Sequence, residues 1–312
     1  MTFVMICTIN WNMLSFPEWE QRFKRVQRST LLQSYPYAQS MAEMQSQKPR
    51  WGVIMIDNQE AGLVQITEAG ILKNLIHAVI LDRGPLWFKE FGTDAHITAF
   101  FTEFNRKFPS RMGRKRRIIP ETHIDLTPLG YRDAGGIYET IWLDVTKPQD
   151  DLRAELKKNW RGTLIKAEKR GLTLEWDSKG DHLAWLLQSY AVDKETKGYD
   201  GPSVKLLRTL AKYHLPRGEV LIGRALLDGK AVAGILILCH GSGATYQIGF
   251  TSPQGRDNGA HHILLWQALG VLKFKQIKDF DLGGINDDSA KAVKTFKQGM
   301  GGETVTLSGM YH

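Results

Sequence analysis

Cysteine is scarce in this 312-residue chain, with Cys7 and Cys239 the only two. They have no metal-ligand spacing and form no disulfide framework, which excludes a small cross-linked secreted scaffold and suits a reducing cytoplasm. Cys239 lies inside an apolar run and reads as a small core residue. Long apolar runs are missing too: no stretch approaches the roughly 20 residues a membrane helix needs. The first apolar stretch, FVMICTI before Asn10, has no basic leader and only about seven residues, too few for a secretory signal. The expectation is a soluble, cytoplasmic chain with no integral membrane segment that opens on a strand. There is no HExxH, no paired CxxC, no Walker lysine loop and no GxGxxG, so metal hydrolysis, nucleotide hydrolysis and dinucleotide binding find no support. No short tandem repeat of the solenoid type occurs.

What is present describes a basic globular protein. Apolar residues make up 42% and charged residues 24%, enough for a sizeable core. The length suits about two domains of roughly 150 residues. A net charge of +8 and a pI near 9.3 favour polyanionic partners such as nucleic acid, nucleotide phosphates or anionic lipid; a basic surface kept for solubility fits equally.

The first half alternates helical and strand periods. Pro17 opens a helix carrying Trp19, Phe23 and Val26, and Pro36 marks a turn before a helix to about Gln47. A strand over 51–56 and a return over 63–66 form a hairpin, and a further strand from Leu75 to Leu81 runs into Arg83-Gly84-Pro85-Leu86-Trp87. Ile97, Phe100, Phe101, Phe104 and Phe108 stripe one face of a helix. The densest charge run, GRKRR at 113–117, is either a solvated turn before a strand at Ile118 or a phosphate contact. A strand over 137–145 closes this half. Thr146-Lys147-Pro148 forms the boundary, giving domains 1–146 and 147–312.

The second half opens on a basic helix in which Leu152, Leu156, Trp160, Leu164 and Ala167 pack, while Arg153, Lys157, Lys158, Arg161, Lys166, Lys169 and Arg170 face water. Two helices follow, near 181–196 and 202–214. Asp228-Gly229 then joins two apolar strands into a hairpin, the strongest short signal of that kind. From Thr245 to Gly302 the period switches repeatedly: a strand over 245–250, a turn, a helix over 259–274, a strand over 277–282, Gly283-Gly284, and a short helix over 291–300. Asp287, Asp288 and Ser289 offer caps for that last helix, and a final strand covers 305–307. Splayed strands with a helix between them are the shape of an acyl-transfer core. Both halves share the order helices, hairpin, long helix, strands, so the expected fold is α/β (α+β) with two copies of one unit.

At this point a family can be named. The ordered set Tyr37-Ala38-Gln39, Arg83-Gly84-Pro85-Leu86-Trp87, Lys166 to Gly171, Tyr246 to Phe250, Phe280 to Ile285 and Phe296 to Gly302 resembles the FemAB/FemX family of aminoacyl-tRNA-dependent peptidyltransferases. The resemblance implies two GNAT-like acyltransferase domains in tandem, here without the inserted helical arm of some members. It also implies transfer of an amino acid from aminoacyl-tRNA to an amine acceptor, such as a nucleotide- or lipid-linked peptidoglycan precursor. Aminoacyl-tRNA is then a co-substrate and no cofactor is needed. The alternative is a CoA-dependent GNAT N-acyltransferase using acetyl-CoA or acyl-CoA. Gln254 to Ala260 keeps the spacing of its pyrophosphate loop through Arg256 and Gly259, but His261 stands where a small residue is wanted.

The resemblance assigns Lys297 as the cation that stabilises the oxyanion and Phe296 as a stacking surface for the terminal adenosine. Lys294 and Lys297, three apart on a short helix, could equally both be solvated. Asp281 is either a base at its strand end or the cap of the glycine turn, the second reading being the simpler one. His123-Ile124-Asp125 alternates along a strand and makes no triad. His261 and His262 begin a helix with one expected buried and one exposed. Arg83, Arg161 and Lys166 are candidates for an acceptor's phosphates, and Tyr246 for the cleft wall.

Overall fold

The computed structural model describes residues 5–71, 76–285 and 291–312. Contacts divide the chain into one unit of Met1–Tyr138 with Thr306–His312, and a second of Glu139–Val305. The division therefore falls at 138/139, eight residues before the expected 146/147, and the last seven residues return to the first unit.

In the first unit the elements run β1 (Cys7–Trp11), α1 (Phe16–Phe23), α2 (Tyr35–Gln45), β2 (Lys48–Ile56), β3 (Gln59–Ile71), β4 (Ile76–Gly84), β5 (Leu86–Trp87), α3 (Asp94–Lys107) and β6 (Arg114–Pro120). The sheet order is β1-β2-β3-β4-β6, with β5 on β3. All pairs are antiparallel except β4 with β6, which α3 separates in sequence. α3 forms because Thr93 caps its first turn and because Ile97, Phe100, Phe101 and Phe104 recur on one face, all buried. Pro36 is no turn: it stands in the first turn of α2 behind the Ser34 cap, where its missing N–H is harmless.

Two other expectations change. The run at 113–117 is largely strand, because alternation lets Arg116 turn inward, where both terminal nitrogens of its guanidinium find acceptors. Its guanidinium donates to Asn105 Oδ1 at 2.6 Å, to the Phe108 carbonyl at 3.2 Å and to the His312 carbonyl at 3.1 Å. Residues 123–125 form no strand; Asp125 instead caps Thr127, accepting from its amide at 2.9 Å.

The second unit continues with β7 (Tyr138–Asp144), α4 (Gln149–Glu155), α5 (Lys158–Ala167), β8 (Thr173–Asp177), α6 (Leu183–Lys197), α7 (Val204–His214), β9 (Val220–Leu227), β10 (Lys230–His240), β11 (Gly243–Thr251), α8 (Pro253–Asp257), α9 (Ala260–Phe274), β12 (Asp279–Asp281), α10 (Lys291–Gln298) and β13 (Glu303–Leu307). Its sheet runs β13-β7-β12-β11-β10-β9-β8. The Asp228-Gly229 turn has φ of 49° and 74°, the left-handed pair that a tight hairpin needs. β7, expected to end the first half, pairs antiparallel with β12 instead.

The basic helix is two helices. Leu156 leaves helical geometry, and the Lys157 amide donates to the Gly299 carbonyl at 3.0 Å, so a tertiary hydrogen bond interrupts the pattern. Asp287, Asp288 and Ser289, expected to cap α10, lie outside the described residues, as does Leu75. Both units share three antiparallel strands, then a helix, then a parallel strand, so one α/β plan occurs twice.

Candidate active site

The site follows from where β11 and β12 part. Their parallel pairing covers only Gly243, Ala244 and Thr245 against Asp279, Phe280 and Asp281. Beyond it β11 stays on β10 through Thr251. The chain after β12 turns the other way: the Leu282 amide donates to the Ile141 carbonyl and the Ile285 amide to the Glu139 carbonyl, both at 2.9 Å. A wedge opens between Tyr246 and Gly283-Gly284. At its mouth β11 carries a bulge: Ile248 pairs with Leu236 and Tyr246 with Ile237, leaving Gln247 as the extra residue, with backbone groups released from the regular ladder.

Lys297 fills this wedge from α10. It is 8% exposed; its Nζ donates to the Gly284 carbonyl at 3.0 Å on one side and lies 5.9 Å from the Tyr246 ring on the other. Burial pulls the ammonium from the usual 10.5 down to about 8, with the Asp281 charge opposing. Lys294, three residues earlier, instead meets Glu139 Oε2 at 3.0 Å.

Behind Lys297 sits a ring cluster. Phe296 lies 5.3 Å from His261, 4.9 Å from His262 and 6.1 Å from Trp160 between centroids. Both histidines are partly buried, rather than one buried and one exposed, and burial lowers each to about 4, so both are neutral at pH 7. Tyr246 Oη is 3.0 Å from His261 Nε2, and burial raises the phenol well above its usual range. The pair is therefore a hydrogen bond between a protonated phenol and a neutral imidazole. Gly249 makes room for this pair: a Cβ built there would lie 2.1 Å from Tyr246 Oη and 2.3 Å from His261 Cε1.

Asp281 is buried and holds the turn. Its Oδ1 accepts from Thr140 Oγ1 and from the Gly283 amide, the latter at 2.8 Å, and Gly283 has a φ of 75° that suits glycine. Lys297, Asp281, Phe296 and Tyr246 are thus brought together.

The other candidates stand elsewhere. Arg83, in the first unit, is 4% exposed, ion-paired with Glu121 and stacked 4.6 Å from the Tyr138 ring, so its cation is already engaged. Arg161 is partly buried and Lys166 exposed; five residues apart on α5, they point roughly 140° apart. Arg256 is exposed, its Nη1 donating to the Thr251 carbonyl at 3.0 Å. Its loop is folded on itself. The amides of Gly255, Arg256, Asn258 and Gly259 donate to Ser252 Oγ and to the carbonyls of Ser252, Gln254 and Arg256.

Sequence reasoning missed His261 as the partner of Tyr246, and Trp160 and Thr140 as supports. The available signal was Gly249, a glycine within a strand that marks close approach. Among the described residues no group of three or more His, Cys, Asp or Glu could hold a metal, and no helix is long and apolar enough to cross a membrane.

Residues 154–297, which span this site, match the family model described as Acetyltransferase (GNAT) domain. The second unit carries a GNAT acyltransferase domain. No curated protein matches the chain in sequence. Among solved structures, FemX is similar in fold over 97% of this chain and 96% of its own, with a TM-score of 0.77 at 15% identity. A conserved protein of unknown function from Bacteroides thetaiotaomicron covers 97% and 98% at 0.59 and 11%. The C-terminal domain of a putative lysylphosphatidylglycerol synthetase from Agrobacterium fabrum covers 95% and 91% at 0.53 and 14%. The chain thus has a FemX-like fold of two GNAT-like units in tandem, and the match to the GNAT acetyltransferase model lies in the second.

Proposed function

We propose that this GNAT acyltransferase moves an aminoacyl group from aminoacyl-tRNA to an amine acceptor, of the kind carried by a nucleotide- or lipid-linked peptidoglycan precursor. The observation that carries this reading is Lys297, a buried ammonium at the mouth of the β11–β12 wedge. The acceptor nitrogen attacks the ester carbonyl, the new C–N bond forms, and the ester C–O bond breaks. The electron pair leaves on the ribose oxygen, which takes up the proton the amine gives away. Lys297 Nζ donates to the oxyanion that develops on the carbonyl oxygen. A preorganised donor of this kind contributes about 3 kcal/mol. Phe296, held by three rings, offers its remaining exposed surface to the terminal adenosine.

The loop at 254–259 bears on the acyl source. A CoA pyrophosphate needs amides that point at it; those of Gly255, Arg256, Asn258 and Gly259 bond within the loop, and in the first turn of α9, whose amides have no intrahelical partner, the bulky His261 packs against Tyr246 and Phe296. Aminoacyl-tRNA asks nothing of that loop, and the basic surface of α5 suits a polyanion. The reaction needs no cofactor and suits the cytoplasm, where charged tRNA is found. The structural neighbour described as a putative lysylphosphatidylglycerol synthetase bears a name that joins an amino acid to a lipid, which is in keeping with this class of donor. The family model's acetyltransferase description favours the second reading, acyl transfer from CoA.

The two are separated by incubating the protein with an amine acceptor and either radiolabelled aminoacyl-tRNA or acetyl-CoA. Transfer from charged tRNA that RNase abolishes is expected. Turnover with acetyl-CoA and none with charged tRNA would overturn the proposal.

A further inference from the structure

One end of the first-unit sheet gathers cations and leaves apolar side chains in water. Register partners mark that end from β1 across to β6: Trp11 with Gly52, Lys48 with Glu68, Gly70 with His77, and His77 with Arg114. The strands that end the sheet order, β1 and β6, stand there roughly 19 Å apart, four strand spacings. Each adjoins an exposed methionine. Met13, two residues after β1, is 74% exposed, and Met112, two residues before β6, is wholly exposed at 102%. A single exposed apolar side chain is ordinary; two at one end of a sheet, set among cations, are not.

Met112 stands at the tip of a tight turn. The Arg114 amide donates to the Arg111 carbonyl at 3.0 Å, and Gly113 has a φ of 77°, which glycine adopts without steric cost. The turn therefore holds Met112 out between two arginines. Burial lowers Arg114 and the Arg111 charge lowers it further, with Glu68 opposing, so two like charges are kept together at a cost that an anionic partner offsets. Residues 11–14, 47–50, 68–71, 76–77 and 107–115, which form this end, hold six Lys and Arg against one carboxylate, Glu68. Glu68 is already engaged, with Arg50 and His77 each 3.3 Å away. Lys48, Lys107, Arg111 and Lys115 are exposed and have no ion pair among the described residues. The backing is stiff: Arg50 lies 4.9 Å from the Trp11 ring and 5.7 Å from Phe108, and the two rings meet edge to face at 5.8 Å.

We propose that this end of the first unit docks on an anionic lipid surface, with Met112 entering the headgroup layer between Arg111 and Arg114. Charge alone would suit RNA equally, and the apolar tips decide against it. Single-stranded RNA stacks on planar side chains, yet here Trp11 lies under Arg50 and Phe108 is buried. A flexible thioether, by contrast, gains by leaving water for the acyl boundary. In the aminoacyl-transfer reading a docked chain takes a lipid-linked acceptor in preference to a soluble nucleotide-linked one; that consequence, unlike the docking surface itself, rests on that reading.

The test is co-sedimentation of the full chain, without tRNA, with vesicles of phosphatidylcholine alone and of phosphatidylcholine mixed with an equal part of phosphatidylglycerol. Binding is expected to the anionic vesicles only. Arg111→Gln combined with Lys115→Gln should weaken it about twentyfold, at about fivefold per charge near the surface. Met112→Ser should weaken it about fivefold or more, and Met112→Trp should tighten it, which a purely ionic contact would not show. These side chains are exposed, so circular dichroism should not change. Phe274→Ser removes a side chain 89% exposed in the second unit and should leave binding unaltered. Equal binding to both vesicles or to neither, an unchanged affinity in Met112→Ser or in the double variant, or an equal loss in Phe274→Ser overturns the proposal. Binding of poly(U) that the double variant abolishes, without binding to anionic vesicles, overturns it in favour of RNA. Neither tRNA nor an acceptor is present, so failure to dock leaves the acyl-transfer reading standing, and a failed transfer assay leaves docking standing.

Discussion

Lys297→Met should make the protein more stable and less active at the same pH. The change keeps an unbranched side chain in the wedge and removes the charge. Drawing the ammonium from 10.5 down to about 8 corresponds to about 3 kcal/mol of penalty on the folded state at neutral pH. Losing the hydrogen bond to the Gly284 carbonyl returns about 1.5 kcal/mol, so the net gain is roughly 1–2 kcal/mol. For a unit of this size that is a rise in Tm of about 3–6 °C.

The pH dependence fixes the cause. Below pH 8 both folded and unfolded chains hold the proton and the penalty is fully present. Between about 8 and 10.5 the unfolded chain binds more protons, so wild-type stability rises with pH. Above that window both forms are neutral and the advantage of methionine fades. Differential scanning calorimetry of both proteins from pH 6 to 10, with transfer rates from charged tRNA, reads all of this. Wild-type transfer should decline as pH rises through about 8, where Lys297 loses its ammonium, and the variant should be slower by about a hundredfold. A variant that melts at or below wild type at pH 7, by a margin that does not change at pH 10, would refute the burial argument.

Two further outcomes follow from geometry and charge. Gly249→Ala places a methyl group against Tyr246 Oη and the His261 ring, and should destabilise by about 1–3 kcal/mol in urea unfolding; an unchanged midpoint would mean the pair is loosely held. Replacing Lys158, Lys166 and Lys169 by Gln should leave stability within about 0.5 kcal/mol. It should lower the salt slope of tRNA binding by up to about 2, at roughly 0.7–0.9 per phosphate contact, and an unchanged slope would take tRNA off this surface.

Local rules made much of the fold legible. The Asp228-Gly229 turn demanded left-handed φ at both positions, and the sheet obeys it. The aromatic stripe of α3 and the apolar face of α9 could be buried in only one way. The order strand, helix, strand between Gly243 and Asp281 followed from the switch of period. Where a tertiary partner intervened, period misled. Lys157 leaves the helix for the Gly299 carbonyl, and Arg116 turns a charge run into a strand by finding acceptors far along the chain.

The candidate site divides the same way. Phe296-Lys297 could be singled out through the family resemblance, and Asp281 as a strand-end carboxylate beside a glycine turn. What each does was decided by the fold. Lys294 and Lys297 lie three apart on one helix with nothing local to distinguish them; one pairs with Glu139 and the other enters the wedge and loses its water. Asp281 and Asp82 are both aspartates near a strand end, yet one holds Thr140 and the Gly283 amide while the other pairs with Arg117. The sequence by itself determined which groups carry charge and which segments are strand or helix, since these depend on neighbours a few residues away. Only the tertiary structure decided which charges lose their solvent, because desolvation is set by elements that meet from distant parts of the chain.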